Sequence, residues 1–379
     1  MFGSLPPSWK TDRLCMEMPI LLCIFVVFGL TFTGCSSLMR KVVTIVPLTE
    51  YTPKPNLELI QNIRKNKDPQ NELFEVYRDL TVIDIHNHDA GNPNAIEKWG
   101  KYGIDRIVLF GDISEPSAQI TDQLSWQQYR REPSHVYPSF AGFPIYEDEG
   151  LTIVRDKLEQ GYLNIGEIAA ASTNSPVVSK VKWKAQHPND GNFPKIYELA
   201  AKYRVPILLH IDPPNGSPIT HLEEALDQHP NTNIIFGHAN AYNSPNNIKT
   251  LLEKHSNLYI DFFAGFTAYN PDSFNKLRDF IPLMEQYPDR FMLSTDSGYG
   301  LTTEQAANAL YETIDLLSAE TALKVAYQNY ERLIEQQPPT DTQIQRIKEL
   351  SSKLGKTEKY RLNKRLANEL IFKLESEQK

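Results

Sequence analysis

The feature that most constrains the fold is a regular alternation of short apolar runs with longer helical segments across residues 80–335. Eight runs are rich in apolar or β-branched residues: TVIDIH, DRIVLFG, PSFAGFP, YLNIGEIA, VPILLHI, NIIFGHA, LYIDFFAG and RFMLSTD. Between them, segments such as NFPKIYELAAKY and ITHLEEALDQHP carry apolar residues at helical spacing. Strands that alternate with helices indicate βαβ units and a parallel sheet, and eight units over about 250 residues are typical of a (β/α)8 barrel.

We therefore predict an α/β fold, a distorted (β/α)8 TIM barrel with an N-terminal lead-in and a C-terminal helical extension. A doubly wound open sheet is the alternative, but no glycine-rich phosphate-binding fingerprint follows any of the eight runs. The pattern divides the chain into four parts. These are a signal segment over 1–35, a tether and lead-in over 36–80, the barrel over 81–335 and a polar, helical extension over 336–379.

The N-terminal segment resembles a bacterial lipoprotein signal. The apolar run PILLCIFVVFGLTF follows Lys10 and Arg13, is too short for a membrane-spanning helix, and ends in Phe-Thr-Gly-Cys. Its last cysteine, Cys35, is the predicted lipidation site, and the alternative is a short uncleaved membrane anchor. We expect the rest of the chain to lie outside the cytoplasm, attached to a bacterial membrane through its N-terminal lipid.

Charge and cysteine content limit the partners and the chemistry. The formal charge of -8 makes nucleic acid an unlikely partner, because phosphate-backbone binding usually needs a basic surface. All three cysteines lie within the first 35 residues. A metal site in the barrel would therefore depend on histidine and carboxylate ligands, and we expect a small-molecule substrate.

Candidate metal ligands follow or end five of the eight runs. His86 and His88 form a His-X-His pair, in which residues two apart on a strand point the same way and can share one ion. Single candidates stand at or near the end of four later runs: Glu167, His210, His238 and Asp296. Because the strands of a parallel barrel deliver their carboxyl ends to one face, we expect all six side chains to converge there.

Other polar residues near these runs have weaker interpretations. Asp84 precedes the His-X-His pair, and we interpret it as structural. Asp212 either orients His210 or lies in an exposed loop. The remaining histidines are expected at the surface: His135, His187, His221, His229 and His255.

These residues together resemble the amidohydrolase superfamily of metal-dependent hydrolases. The resemblance covers about residues 80–335 and rests on His86 and His88 with the four single ligand candidates. The Gly-Glu-Ile sequence around Glu167 is similar to TatD-like and phosphotriesterase-like branches. Four other stretches are similar to the amidohydrolase-2 branch: FGHAN at 236–240, LYIDF at 258–262, RFMLSTDS at 290–297 and NYERLI at 329–334.

The resemblance implies a cofactor of one or two divalent metal ions, for which we expect zinc. In a two-ion site, one ion would bind His86, His88 and Asp296, the other would bind His210 and His238, and Glu167 would bridge them. In a one-ion site, the ligands would be His86, His88, His210 and Asp296, while His238 polarises the substrate. Asp296 and His238 are the expected catalytic residues, with proton transfer assigned to Asp296.

The expected activity is hydrolysis of a small ester, amide, lactone or phosphoester by a metal-activated water. A metal-dependent decarboxylase of the same superfamily is an alternative, as is a surface-binding lipoprotein without catalytic activity. Nuclease activity of the TatD-like kind is disfavoured by the charge of -8.

Overall fold

The computed structural model describes residues 43–48, 50–270 and 273–378. The predicted signal segment and Cys35 lie outside the described residues, as does the first part of the predicted tether. No helix in the described ranges is long and apolar enough to cross a membrane.

Eight parallel strands form a nearly closed barrel, which confirms the predicted fold. Each apolar run of the sequence contains or overlaps one strand, and neighbours in the chain are neighbours in the sheet, in the order β2 to β9. The strands are β2 (Ile83–Asn87), β3 (Arg106–Leu109), β4 (Val136–Phe140), β5 (Asn164–Ala171), β6 (Ile207–Ile211), β7 (Ile234–Phe236), β8 (Leu258–Phe263) and β9 (Phe291–Ser294). Nearly every residue in them is buried, as expected for parallel strands covered by helices on the outside.

Helices connect the strands and surround the barrel. The α-helices of the described residues are α1 (Leu57–Lys65), α2 (Leu73–Val76), α3 (Ala95–Gly100), α4 (Ala118–Arg131), α5 (Asp148–Gln160), α6 (Phe193–Tyr203), α7 (Ser217–Gln228), α8 (Pro245–Lys254), α9 (Gly265–Ala268), α10 (Leu277–Gln286), α11 (Thr303–Leu316), α12 (Ala319–Leu323), α13 (Asn329–Glu335), α14 (Asp341–Lys353) and α15 (Lys364–Ser376). In α6, the apolar positions that predicted the helix are buried: Ile196, Tyr197 and Ala200. Burial of such an apolar stripe, rather than helix propensity alone, holds these helices on the sheet.

A buried carboxylate links the first and last barrel strands. Asp84 in β2 accepts hydrogen bonds from the Thr295 backbone nitrogen at 2.9 Å and from the Thr295 hydroxyl at 2.5 Å. It also accepts a bond from Asn87 Nδ2 at 2.8 Å. Burial raises the pKa of Asp84 to about 6, although these hydrogen bonds oppose the shift. The structural role predicted for Asp84 is thus the closing contact between β2 and the segment that follows β9.

The C-terminal extension packs as a second small core against the barrel. Its helices α14 and α15 enclose apolar residues with β10 (Lys359–Leu362), which pairs in parallel with β1 (Thr44–Pro47). Gln337 Nε2 donates to the Leu163 carbonyl at 2.8 Å and Asn368 Nδ2 to the Gly161 carbonyl at 2.9 Å, so polar contacts attach the extension to the segment that precedes β5. The sequence did not predict β1, because a four-residue run ending in proline has no recognisable strand pattern before its distant partner is known.

Candidate metal centre

The fold brings all six predicted ligands to the carboxyl end of the barrel. His86 is the fourth residue of β2 and His210 the fourth of β6, while Glu167 lies in the middle of the longer β5. His88, His238 and Asp296 follow their strands by one or two residues. Side chains from five strands therefore meet at one face, as the barrel topology requires.

Two groups of three ligand atoms result from this placement. His86, His88 and Asp296 form one group, and Glu167, His210 and His238 form the other, with the ligand atoms of each group within 4.8 Å of one another. In the first group, His86 Nε2 lies 2.9 Å from His88 Nε2, and Asp296 Oδ1 lies 3.9 and 3.8 Å from these two nitrogens. The three atoms surround a common point, which is the geometry of a cation site.

The second group has the same compact geometry. His210 Nδ1 and His238 Nε2 are 3.1 Å apart, and each lies 3.1 Å from Glu167 Oε1. The other oxygen of that carboxylate, Oε2, faces the first group, at 3.4 Å from His86 Nε2 and 3.2 Å from His88 Nε2. Glu167 therefore presents one oxygen to each group.

Hydrogen bonds behind the imidazoles leave the facing nitrogens free to bind a cation. His88 Nδ1 lies 2.6 Å from the Gly111 carbonyl oxygen, which can only accept, so the proton is on Nδ1. His86 Nδ1 is 2.8 Å from Asp261 Oδ2, and His210 Nε2 is 2.8 Å from Asp212 Oδ2. Carboxylate or carbonyl partners of this kind fix the tautomer and orientation of metal-binding histidines.

The electrostatics of the centre favour positive charge. Burial lowers the pKa of His86, but the charge of Glu167 and the hydrogen bond to Asp261 outweigh burial and raise it well above its usual value. Burial likewise lowers the pKa of His210, and the partners Asp212 and Glu167 raise it to about 9. For Glu167 burial raises the pKa, yet the charge of His86 and bonds from three histidines hold it well below its usual range. The carboxylates thus create a negative field that a bound cation would neutralise.

The backbone around the centre adopts conformations that side chains rarely tolerate. His238, Asp296 and Ser297 have positive φ values of 31°, 44° and 53°. Such conformations cost of order 1–3 kcal/mol each and concentrate at functional sites. Gly166, just before Glu167, has φ +134°, and a Cβ there would lie 2.7 Å from the Leu208 carbonyl oxygen, so only glycine fits.

The donor set fits divalent transition cations. It consists of imidazole nitrogens and carboxylate oxygens at separations that one ion per group can span. Zinc, manganese and similar ions accept such mixed nitrogen and oxygen ligands. Neither group supplies a thiolate, in agreement with the absence of cysteine after residue 35.

A cavity of about 440 Å³ opens over the two groups. Five of the six ligand candidates line it, all except His86, which lies beneath the others. The cavity continues between the segments that follow several barrel strands. A small molecule in this cavity would therefore contact both groups of ligands.

The structure adds a residue that the sequence interpretation missed and resolves one open case. Asp261 is fully buried in β8 and bonds both His86 and the His238 backbone nitrogen, the latter at 2.8 Å. It is the only charged residue in the run LYIDFFAG, a signal that could have marked it. Asp212 is also fully buried and contacts His210, so it is not an exposed loop residue.

The histidines expected at the surface are mostly half-buried, and one expectation is wrong. His255 is only 4% exposed, and its Nδ1 lies 3.2 Å from Asp227 Oδ1. The sequence indicated a surface position because His255 follows a polar helix end, whereas tertiary packing between neighbouring helices covers it. None of the other four belongs to either ligand group in the described residues: His135, His187, His221 and His229.

Comparison with known proteins supports the fold. No family model and no curated protein matches the sequence. Among solved structures, the chain is similar to an uncharacterised TIM-barrel protein from Bordetella bronchiseptica, with a TM-score of 0.51 and 15% identity over 68% of this chain and 99% of that chain.

Two further similarities have lower TM-scores. A dihydroxybenzoic acid decarboxylase from a Polaromonas species, solved with manganese and the inhibitor 2-nitroresorcinol, gives 0.47 and 16% identity over 67% of this chain and 97% of its own. An amidohydrolase from Pseudomonas aeruginosa gives 0.46 and 13% identity over 70% and 99%. The structural neighbours thus include both amidohydrolases and decarboxylases.

Proposed function

We propose that this protein is a metal-dependent hydrolase of the amidohydrolase type, with two divalent ions, most simply zinc, in its barrel. The observation that carries the proposal is the position of Glu167, whose Oε1 faces His210 and His238 while its Oε2 faces His86 and His88. A carboxylate with one oxygen toward each set of imidazoles is placed to bridge two cations.

Divalent ions in such a centre supply Lewis acidity, which acidifies water and polarises the oxygen of an acyl or phosphoryl group. The chain's own residues would then position the substrate and move protons. Asp296 lines the cavity with its side chain 13% exposed, so its carboxylate can reach both the centre and a small molecule. It would accept the proton of the attacking water and return it to the leaving group.

Metal analysis of purified variants tests this proposal. We expect about two equivalents of zinc in the native protein and the loss of at least one in His86→Ala. Glu167→Gln, which removes the charge of the carboxylate without removing side-chain volume, should also lower the zinc content. Hydrolysis of a panel of esters, amides, lactones and phosphoesters should fall together with the metal.

His229→Ala is the matched control, because His229 is half-buried and lies outside both ligand groups. Its zinc content and activity should equal those of the native protein. An unchanged zinc content in His86→Ala would contradict the site. Carbon dioxide release from aromatic carboxylic acids, without hydrolysis of any panel member, would contradict the proposed hydrolysis and indicate decarboxylation instead.

We also propose that the protein works outside the cytoplasm, held to a bacterial membrane by a lipid on Cys35. The support comes from the sequence around this cysteine, which lies outside the described residues. Metabolic labelling with palmitate should mark the full-length chain and fail for Cys35→Ser. Labelling that persists in this variant would contradict the lipidation site.

A further inference from the structure

We infer that the cavity accepts substrates with an apolar body and no anionic group, and that Asp112 and Glu115 enforce this selection. The inference rests on the proposed function and names the substrate class of the same site. It follows from three properties of the cavity wall: its apolar side, its acidic side and its lack of cationic side chains.

The apolar side comes mainly from the segment after β5. Pro176, Val177, Val178 and Val181 line the cavity there. Phe266 from α9 also lines the cavity, and its ring packs edge-on to His238 with ring centroids 6.0 Å apart. Contact with these side chains would favour burial of an aliphatic or aromatic group of the substrate, at about 25 cal/mol per Å² of apolar surface.

The acidic side comes from the segment after β3. Asp112 and Glu115 line the cavity, and both are partly exposed to it. Within the described part of the chain, no hydrogen bond or ion pair engages the Asp112 carboxylate. The Glu115 carboxylate accepts one bond from the Ser117 hydroxyl at 3.1 Å. Both charges are therefore directed at solvent and at whatever enters the cavity.

Cationic side chains are missing from this wall. Among the described residues that line the cavity there is no lysine and no arginine. Sites that bind carboxylates or phosphates as substrates commonly supply arginine or lysine as charge partners. An anionic substrate here would have only the metal ions to offset its charge.

The charge balance of the loaded centre leads to the same conclusion. Two divalent ions carry four positive charges, which are matched by four carboxylates in or directly behind the ligand groups: Glu167, Asp296, Asp212 and Asp261. Asp112 and Glu115 then leave an excess of two negative charges at the cavity. Like charges placed together raise the free energy of binding, so anions are disfavoured while neutral or cationic groups are accepted.

Binding of two matched probes tests the inference without requiring turnover. Isothermal titration of the zinc-loaded protein compares hexyltrimethylammonium with 1-hexanesulfonate, which share a chain length and differ in the sign of their charge. We expect the cation to bind at least tenfold more tightly. In the Asp112→Asn, Glu115→Gln double variant this preference should fall by about tenfold.

The control removes two acidic charges from elsewhere on the surface. Asp156→Asn with Glu253→Gln makes the net charge less negative by the same amount, from exposed positions on α5 and α8 that do not line the cavity. It should keep the preference of the native protein. Equal or tighter binding of the sulfonate, failure of the cation to bind, or a preference unchanged in the double variant would each overturn the inference.

Turnover of a matched ester series separates this inference from the proposed function. The 4-nitrophenyl esters of hexanoate, 6-aminohexanoate and adipate (as the monoester) carry a neutral, a cationic and an anionic end. We expect kcat/KM for the anionic ester to be at least tenfold below the other two, and the double variant to narrow this gap. If the protein binds zinc and hydrolyses all three esters equally, the proposed function stands and the inferred selectivity is wrong. If the zinc-loaded protein prefers the cationic probe but hydrolyses none of the esters, the selectivity stands and the proposed reaction is wrong.

Discussion

Asp261→Asn tests whether the carboxylate behind the ligands, rather than the ligands alone, sets the metal affinity. Asp261 is fully buried in β8, and its Oδ2 lies 2.8 Å from both His86 Nδ1 and the His238 backbone nitrogen. An asparagine fills the same space and can still accept with its oxygen. The substitution therefore removes the charge while the arrangement of the imidazoles is preserved.

The expected loss follows from the two contacts. A hydrogen bond to a charged group contributes about 1.5–3 kcal/mol and a neutral one about 0.5–1.5 kcal/mol. Loss of the Asp261 charge therefore weakens the hydrogen bond that supports His86 by about 1.4 kcal/mol, which corresponds to roughly tenfold in zinc affinity. Loss of such supporting partners typically costs 10–100-fold. In addition, Asp261 Oδ1 is buried and has no hydrogen-bond partner among the residues that the structure describes. The amide nitrogen placed there would be an unpaired donor, at about 1–3 kcal/mol of folding free energy.

Competition of the protein with a chromophoric chelator measures the zinc affinity, and urea unfolding of the zinc-free protein measures the stability. Asp122→Asn is the control, because Asp122 is also buried and accepts from two backbone nitrogens, of Ala141 and Gly142, at 3.0 and 2.9 Å. It should lose stability but keep its zinc affinity. If Asp261→Asn binds zinc within twofold of the native protein, the carboxylate has a structural role only and the reasoning fails.

Three further substitutions test the backbone at Gly166, the contact that Asp84 makes between β2 and the segment after β9, and the buried charge of Lys364. Gly166→Ala should lose zinc, measured by elemental analysis, because its Cβ would meet the Leu208 carbonyl at 2.7 Å and displace Glu167; retention of two equivalents would contradict this. Asp84→Ala should lower the free energy of unfolding in urea by about 3 kcal/mol, because the buried donors of Thr295 and Asn87 lose this acceptor. A loss below 0.5 kcal/mol would contradict this prediction. Lys364→Met should raise thermal stability at pH 7, because burial lowers the pKa of this lysine to about 7 and the unfolded chain binds the proton more readily. The gain has an upper limit of about 5 kcal/mol at or below pH 7 and should shrink as the pH rises toward 10; a gain that grows with pH would contradict it.

The barrel could be predicted from the sequence because its signals are local. Each strand is a short apolar run that is buried on both faces, and the helices between the strands have apolar stripes such as Ile196 with Ala200. The pairing of β1 with β10 could not be predicted in this way. Thr44 meets Lys359 across the ribbon, and no pattern in four residues indicates a partner so distant in the chain.

The ligand positions could be predicted from the sequence for the same reason, whereas the hydrogen-bond partners of the ligands could not. A histidine or carboxylate at the end of an apolar run, such as His210, stands out in the sequence because parallel strands end at one face. The partner of each imidazole depends on distances across the barrel. Gly111 supports His88 through a backbone carbonyl, which any residue type would carry, so no side-chain pattern could reveal it. The inferred role of Asp112 and Glu115 in selectivity could not be predicted either, because an acidic residue in a loop indicates a function only when the cavity that it lines is known.

The position of Glu167 also bears on how many ions the centre can hold. A single ion bound by His86, His88, His210 and Asp296 would require His210 to approach His86 and His88. Glu167 stands between them, with Oε1 at 3.1 Å from His210 Nδ1 and Oε2 at 3.2 Å from His88 Nε2. A one-ion centre would leave this buried charge paired only with imidazoles, whereas the two ions that we propose would neutralise it on both oxygens.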